Sequence, residues 1–302
     1  MSDTYFYKAF GLIIASELEV PEFINADRNN AVDVTIRLGL VPKTLDGGKR
    51  KGVCFETAPG KFLFFLEEVG RFLAVDGKRI IYEAADGANE DDLRVFLLGS
   101  VIGALLQQRG LFPIHASAVE HNGAAIAFMG PSGIGKSTTA AAFLQKGYRM
   151  LTDDVCAIQL VDGKPFVVPG YPQGKLWLDS MASLEMEPEL YRPIRNKVTK
   201  RAVPMRERFC DELRPLKRIY QLMVAHEDVY LKEAVAIADA FLPLRRNSYR
   251  GQFLEGLAVA GEHFLTIATI ANQVPLVRLK RNKDSGIDLT ALVEAIEEDL
   301  AG

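Results

Sequence analysis

Between an apolar, strand-like run, AAIAFMG, and a helix-forming run, STTAAAFLQ, the chain places GPSGIGKS at residues 130–137. Gly130, Gly135, Lys136 and Ser137 match G-x-x-x-x-G-K-[ST] without departure. A strand that enters a glycine loop and leaves it as a helix belongs to an α/β unit with the helix on a face of the sheet. Glycine permits the close, positive-φ geometry that turns backbone N–H groups toward phosphate oxygens, and the helix adds its positive N-terminal end. Pro131, Ser132, Gly133, Ile134 and Thr138 complete the run expected to wrap a nucleotide's phosphates. Lys136 is expected to reach the β- and γ-phosphates and Ser137 to ligate Mg²⁺, so ATP and Mg²⁺ are the implied cofactors.

Two acids follow closely. After the helix, expected from Lys136 to about Lys146 with Gly147 as its stop, a second strand-like run, YRMLTDD, ends in Asp153 and Asp154. Parallel strands of a βαβ unit end at the same sheet edge, where ligands bind, so the acids should land beside the glycine loop. Adjacent side chains at a strand end point to opposite sides, which lets one carboxylate face a metal and the other an incoming hydroxyl. A carboxylate that takes a hydroxyl proton during phosphoryl transfer is a kinase requirement. The plainer reading is that the acids only open a turn.

The first 90 residues read as strands. VDVTIRL alternates apolar Val32, Val34, Ile36 and Leu38 with polar neighbours, and residues 52–84 give short apolar runs broken at Pro59-Gly60, Gly70 and Asp76-Gly77, as in an antiparallel meander. A helix is expected from Asp91 to about Arg109, then a hairpin turning at Asn122-Gly123. Residues 187–209 read as a long exposed loop or partly helical excursion, and 233–262 and 287–300 as helical.

A net charge of -3 and a pI near 5.9 give no reason to expect a nucleic-acid or anionic-membrane partner. The three cysteines, Cys54, Cys156 and Cys210, form no CxxC pair, so neither a disulfide framework nor a zinc knuckle is suggested and the chain reads as cytoplasmic. VFLLGSVIGALLQQ is too short to span a bilayer and reads as a buried helix.

His115 in PIHASAV, the loop GPSGIGKS, the helix stop QKGYRM and the strand end LTDDV together resemble the HPr kinase/phosphorylase family in residue type and spacing. The resemblance implies a P-loop kinase core of the HPr kinase / phosphoenolpyruvate carboxykinase type over residues 91–302, after a β-rich N-terminal domain at 1–90. It implies Lys136, Ser137, His115, Asp153 and Asp154 as active-site residues, with Asp154 the base and Ser137 and Asp153 toward the metal. His121, His226 and His263 match nothing in it. The family's E-[IV]-R-G signature, which supplies a further metal ligand, does not follow the acids, where VPGYPQGKLWLDS stands instead, and its later PVRPGRN segment is also missing. These departures imply a kinase without appreciable phosphorylase activity. YKAFGLIIASELEVPEF, GYPQGKLWLDS and LPLRRNSYR resemble the HPr-kinase-like proteins encoded beside lasso-peptide enzymes, which phosphorylate a precursor peptide on its C-terminal serine.

A transferring phosphoryl group needs a further cation, and Arg201 in VTKRAVP or Arg246 or Arg250 in LRRNSYR are the candidates. For LRRNSYR the expectation rests on Asn247 and Ser248 starting a helix. The expected partner is a peptide or small-protein phosphoacceptor. The β-rich region fits either a peptide-docking or a homo-oligomerisation module. A small-molecule kinase and a non-catalytic nucleotide sensor are the competing readings, and the retained acids speak against the sensor.

Overall fold

A computed structural model of the chain describes residues 3–50, 52–195, 199–225, 231–282 and 288–301. The chain divides into two compact units, one of Met1–Pro113 with Ser248–Thr266 and one of Ile114–Asn247 with Ile267–Gly302.

In the first unit, β1 (Tyr5–Ala9) and β2 (Leu12–Ser16) form a hairpin whose turn residues Phe10 and Gly11 both have positive φ, the geometry whose twist matches the flanking strands. After the short β3 (Ile24–Asn25) and β4 (Val34–Leu38), the expected meander appears as β6 (Phe55–Ala58), β7 (Lys61–Leu66), β8 (Gly70–Val75) and β9 (Arg79–Ala84), edged by β5 (Lys49–Arg50). All join one sheet in the order β3-β1-β2-β4-β9-β8-β7-β6-β5. The alternation in VDVTIRL holds only at its centre: Val34 and Ile36 are fully buried, whereas Val32 and Leu38 flank that core and are exposed. β4 also lies parallel to both β2 and β9, a pairing that local alternation does not encode.

The helix expected from Asp91 begins one residue earlier. Asn89 accepts a hydrogen bond from Asp91 N at 2.9 Å and caps α1 (Glu90–Phe96), which continues through a wider π-type turn, Leu97–Val101, into α2 (Ile102–Gln108). This segment belongs to the first unit, whereas the sequence reading divides the chain after residue 90. Phe96 stacks on Phe64 at 5.0 Å, and Gln108 both accepts from Gly77 N at 2.8 Å and donates to Ala74 O at 3.3 Å, which ties the helix to β8 and the turn after it.

The first unit is also completed from far along the chain. Gln107 donates to Tyr249 O at 2.8 Å, the Tyr249 ring lies where a Cβ on Gly103 would come within 2.8 Å of it, and Phe253 packs on Phe62 and Phe55 at 4.4 and 4.7 Å. His263, buried against Phe112 at 4.5 Å and within 2.9 Å of Ser248 Oγ, is pushed down by burial to about 4. A histidine kept neutral in the fold must charge on unfolding, so its contribution is present above pH 6.5 and is lost as the pH falls toward 4. The loss should reach about 3 kcal/mol. Urea unfolding at pH 7 and pH 4.5 checks this, because His263→Gln should lose less stability than the parent over that window.

The chain leaves the first unit through β10 (Phe112–Ile114), and in the second unit it runs into β11 (Ala116–His121), which Asn122-Gly123, both at positive φ, turn into β12 (Ala124–Met129) as expected. Next come α3 (Lys136–Gln145), β13 (Arg149–Thr152), β14 (Cys156–Val161), β15 (Lys164–Val168), β16 (Gln173–Trp177), α4 (Leu178–Ser183), β17 (Lys200–Pro204) and β18 (Arg214–Ala225). β19 (Leu231–Ala234), α5 (Ile237–Arg246), α6 (Ala260–Gln273, in the second unit from Ile267 onward), β20 (Leu276–Asn282) and α7 (Leu289–Ala301) follow.

The sheet order runs β14-β15-β18-β12-β11-β13, with β20 parallel to β18 and β19 on β20. β12 and β13 both pair antiparallel with β11, so they run parallel to each other with β11 between them. On one side, Phe143 of α3 packs on Phe128 at 5.4 Å within a core shared with Leu292, Val293 and Ile296 of α7. Tyr220 OH donates to Asp299 at 2.7 Å and Tyr148 OH to Glu297 at 2.7 Å, fastening α7 down.

Two expectations are corrected. Residues 187–209 are not simply a loop or helix: β17 pairs antiparallel with β16 in a separate two-stranded ribbon. Residues 233–262 are not one helix, because Asn247 is the C-cap that ends α5, with Asn247 N bonded to Pro243 O at 3.1 Å, and Arg250 follows in the left-handed region. Asn247 and Ser248 therefore follow a helix rather than start one.

Candidate functional site

β12 feeds the glycine loop, which rests on β18. A Cβ at Gly130, where φ is +149°, would stand 2.8 Å from Leu222 O and 3.1 Å from Ile134 Cγ2, so the approach requires glycine. Gly135, at φ +106°, caps α3, and Ile134 anchors the loop from below while Pro131, Ser132 and Gly133 are exposed. A glycine loop followed by a ten-residue helix presents its positive end to whatever enters. The Lys136 side chain folds back on the loop, donating to Gly130 O and Pro131 O at 2.9 Å each. Burial pushes its ammonium down to about 8, against the opposing pull of Asp153 and Asp154.

At the same edge β13 stops at Thr152, and the acids lie just beyond it. Asp154 has φ +71°, while Val155 N bonds to Asp153 O at 2.9 Å and the Thr152 hydroxyl donates to Val155 O at 2.7 Å. The two carboxylates therefore diverge through a tight left-handed turn, not through strand alternation. The turn and the candidate site are one feature.

Asp153 is buried and accepts from three donors: Ser117 Oγ at 2.5 Å and Ser137 Oγ at 2.8 Å on Oδ1, and Lys175 N at 2.8 Å on Oδ2. Asp154 faces the open cleft, with Lys175 Nζ 2.8 Å from Oδ2 and His115 Nδ1 3.2 Å from Oδ1. Burial raises the Asp154 carboxyl, but Lys175 and then His115 outweigh it and hold the group well below the usual carboxylate range.

A cleft of about 470 Å³ opens here, bordered by His115, Lys136, Ser137, Asp154, Lys175 and Lys200. The sequence reading singles out the first four. Ser117 lies inside β11, whereas His115 sits in the bend between β10 and β11, so no strand period links them and only the fold brings both to the acids. Lys175 stands in the GYPQGKLWLDS segment, which the sequence reading takes as a departure from one family pattern and a likeness to the lasso-peptide-associated proteins, with no role for the lysine itself. Lys200 was hidden in a charge run.

The arginine expectations meet different surroundings. Arg201 pairs with Leu176 across the ribbon and donates to Pro188 O at 3.3 Å, whereas Lys200, one residue away and so on the opposite face, borders the cleft. Arg246 is exposed at the end of α5. Arg250 belongs to the first unit, exposed, with its guanidinium 5.7 Å from the Tyr249 ring centroid. Of the other histidines, His121 stacks on Tyr148 at 5.4 Å, His263 is buried in the first unit, and His226 lies outside the described residues.

Among the described residues no group of three or more His, Cys, Asp or Glu side chains could hold a metal by itself. The oxygen pair of Ser137 and Asp153, 2.8 Å apart, nevertheless fits Mg²⁺, which takes one or two protein oxygens and fills its remaining positions with phosphate and water.

The fold is mixed α/β, and its candidate site joins a glycine loop to an acid pair across one sheet edge. No protein-family model matches the chain. Over 51 residues it is 41% identical to the HPr kinase/phosphorylase of Clostridium beijerinckii, a match that spans 17% of this chain and 17% of that protein's length. It is also similar to the solved Hpr(Ser) kinase/phosphatase of Coxiella burnetii, at 10% identity and a TM-score of 0.33, over 63% of this chain and 99% of the other. Among the described residues no helix is long and apolar enough to cross a membrane.

Proposed function

We propose that the chain is an ATP- and Mg²⁺-dependent kinase that moves the γ-phosphoryl group to a serine hydroxyl of a small protein or peptide. The observation that carries this reading is the division of labour between neighbouring acids. Asp153 is held on the Ser137 hydroxyl beside the glycine loop, and Asp154 is held ionised at the cleft by Lys175 and His115.

Ser137 and Asp153 would hold Mg²⁺, which when bound neutralises charge on the phosphate oxygens. Lys136 exchanges its two loop carbonyls for phosphate oxygens, whose negative charge favours the ammonium that burial disfavours. The acceptor serine's oxygen forms the new bond to the γ-phosphorus as the bond to the β-phosphate oxygen breaks, and ADP leaves. Asp154 takes the serine proton. A carboxylate this acidic accepts it only once the hydroxyl oxygen is bonding to phosphorus, which suits a loose transition state. Lys175, already on Asp154, is placed to follow the charge to the phosphoryl oxygens.

The resemblance to lasso-peptide kinases supports a precursor peptide's C-terminal serine as the acceptor, and the missing segments support transfer in the forward direction only. Incubation with labelled ATP, Mg²⁺ and a serine-ended peptide should label the peptide, with free serine far poorer. Phosphopeptide plus inorganic phosphate should yield no appreciable free serine end. Labelling of free serine as fast as the peptide would overturn the acceptor class, and a reverse rate comparable to the forward one would overturn the directional reading.

A further inference from the structure

The cleft has a direction. One wall is the first turn of α3 and the other is β16 running into α4. At one end Lys175 N holds Asp153, and at the other the Thr138 hydroxyl donates to Ser180 Oγ at 2.7 Å. Passing from Lys175 to Ser180 along one wall thus matches passing from Ser137 to Thr138 along the other. With a nucleotide's terminal phosphates at Lys136, Ser137 and Asp153, its nucleoside must lie toward the Thr138–Ser180 end.

That end carries an aromatic face. Trp177 is 37% exposed and borders the cleft, and Lys200 Nζ stands 4.6 Å from its ring centroid. The two residues are direct cross-strand partners in the ribbon, so both project from one face. Exposed Asp179 and Ser183 border the same region and offer an acceptor-only carboxylate and a hydroxyl. A large apolar ring kept partly in water by a strand end, beside a carboxylate that can only accept, suits a flat base joined to a sugar that can donate.

We propose that Trp177, with Asp179 and Ser183, forms the subsite for the base and ribose of a nucleoside triphosphate. The indole stacks on the base, Lys200 leaves the ring for the phosphate chain, and Asp179 accepts from the ribose hydroxyls. This inference rests on the reading of the glycine loop as a phosphate site. Stacking on an aromatic tolerates any base, so the subsite supplies affinity more than base identity.

Trp177 is the only tryptophan of the chain, so its emission reports the subsite directly. ATP should quench it saturably, whereas inorganic tripolyphosphate should bind by calorimetry with little change in emission. Trp177→Ala should weaken ATP by about ten- to a hundredfold and leave tripolyphosphate affinity unchanged. Trp177→Phe should recover most of the loss and show that the variants fold. ATP binding to the parent chain without a change in emission would overturn the subsite, as would an equal loss for both ligands in Trp177→Ala. If neither ligand bound the parent chain, the phosphate-site reading itself would fall, and the subsite with it.

Discussion

Asp154→Asn is expected to slow transfer to a serine-ended peptide by about 10²- to 10⁴-fold, the usual range for loss of a general base, with little change in nucleotide affinity. Asparagine is the informative replacement for two reasons. Asp154 sits at φ +71°, a conformation that asparagine adopts as readily as aspartate and alanine does not. The contact of the His115 ring with the residue 154 backbone oxygen, at 3.1 Å, also survives the exchange. What the amide cannot do is take a proton or neutralise Lys175.

Asp153→Asn is the matched control and should fail differently. Its oxygens accept from Ser117, Ser137 and Lys175 N, so an amide group must turn an N–H₂ toward at least one donor. Loss there should appear as weakened Mg²⁺-nucleotide binding in titrations as well as slower single-turnover transfer. Near-full transfer by Asp154→Asn with loss in Asp153→Asn would move the base to Asp153. Full activity in both would reduce the acid pair to a turn.

Lys136→Ala is expected to bring phosphoryl transfer down to background without unfolding the chain. The ammonium donates to the Gly130 and Pro131 carbonyls, so its charge stands where the phosphates enter, and neutral water in its place supplies no such charge. Folding should not depend on it, because burial depresses its ionisation from 10.5 to about 8, so the charged form opposes folding at neutral pH. Removing it relieves a penalty of up to about 3 kcal/mol. The Gly130 and Pro131 carbonyls it leaves border an open cleft that water can enter. The melting temperature of Lys136→Ala should therefore equal or exceed that of the parent, while label from ATP no longer reaches the peptide. A variant that turned over at the parental rate would remove the phosphate-site reading, and a collapsed melting temperature would show that Lys136 holds the loop itself.

Much of the central unit could be read from local pattern. The strand before Gly130, the helix from Lys136, the hairpin at Asn122-Gly123 and the proximity of the acids to the loop each follow from short-range chemistry: glycine's permitted φ, apolar periodicity, and the reach of a strand after a helix.

Other features had no local signal. β11 lies between β12 and β13, and no pattern in either parallel strand announces the intervening antiparallel one. The first unit closes only when residues 248–266 return to it, because Tyr249 and Phe253 fill space that Gly103, Phe55 and Phe62 leave more than a hundred positions earlier. The cations at the cleft were decided the same way. Arginine chemistry drew attention to Arg201, yet strand pairing turns Leu176 and Arg201 to one face of the ribbon and Trp177 and Lys200 to the other. Residue type and spacing thus determined that a glycine loop and two acids would share a sheet edge. Which lysines, serines and aromatic ring surround them was left to long-range pairing, because cross-strand register depends on partners that a linear window cannot contain.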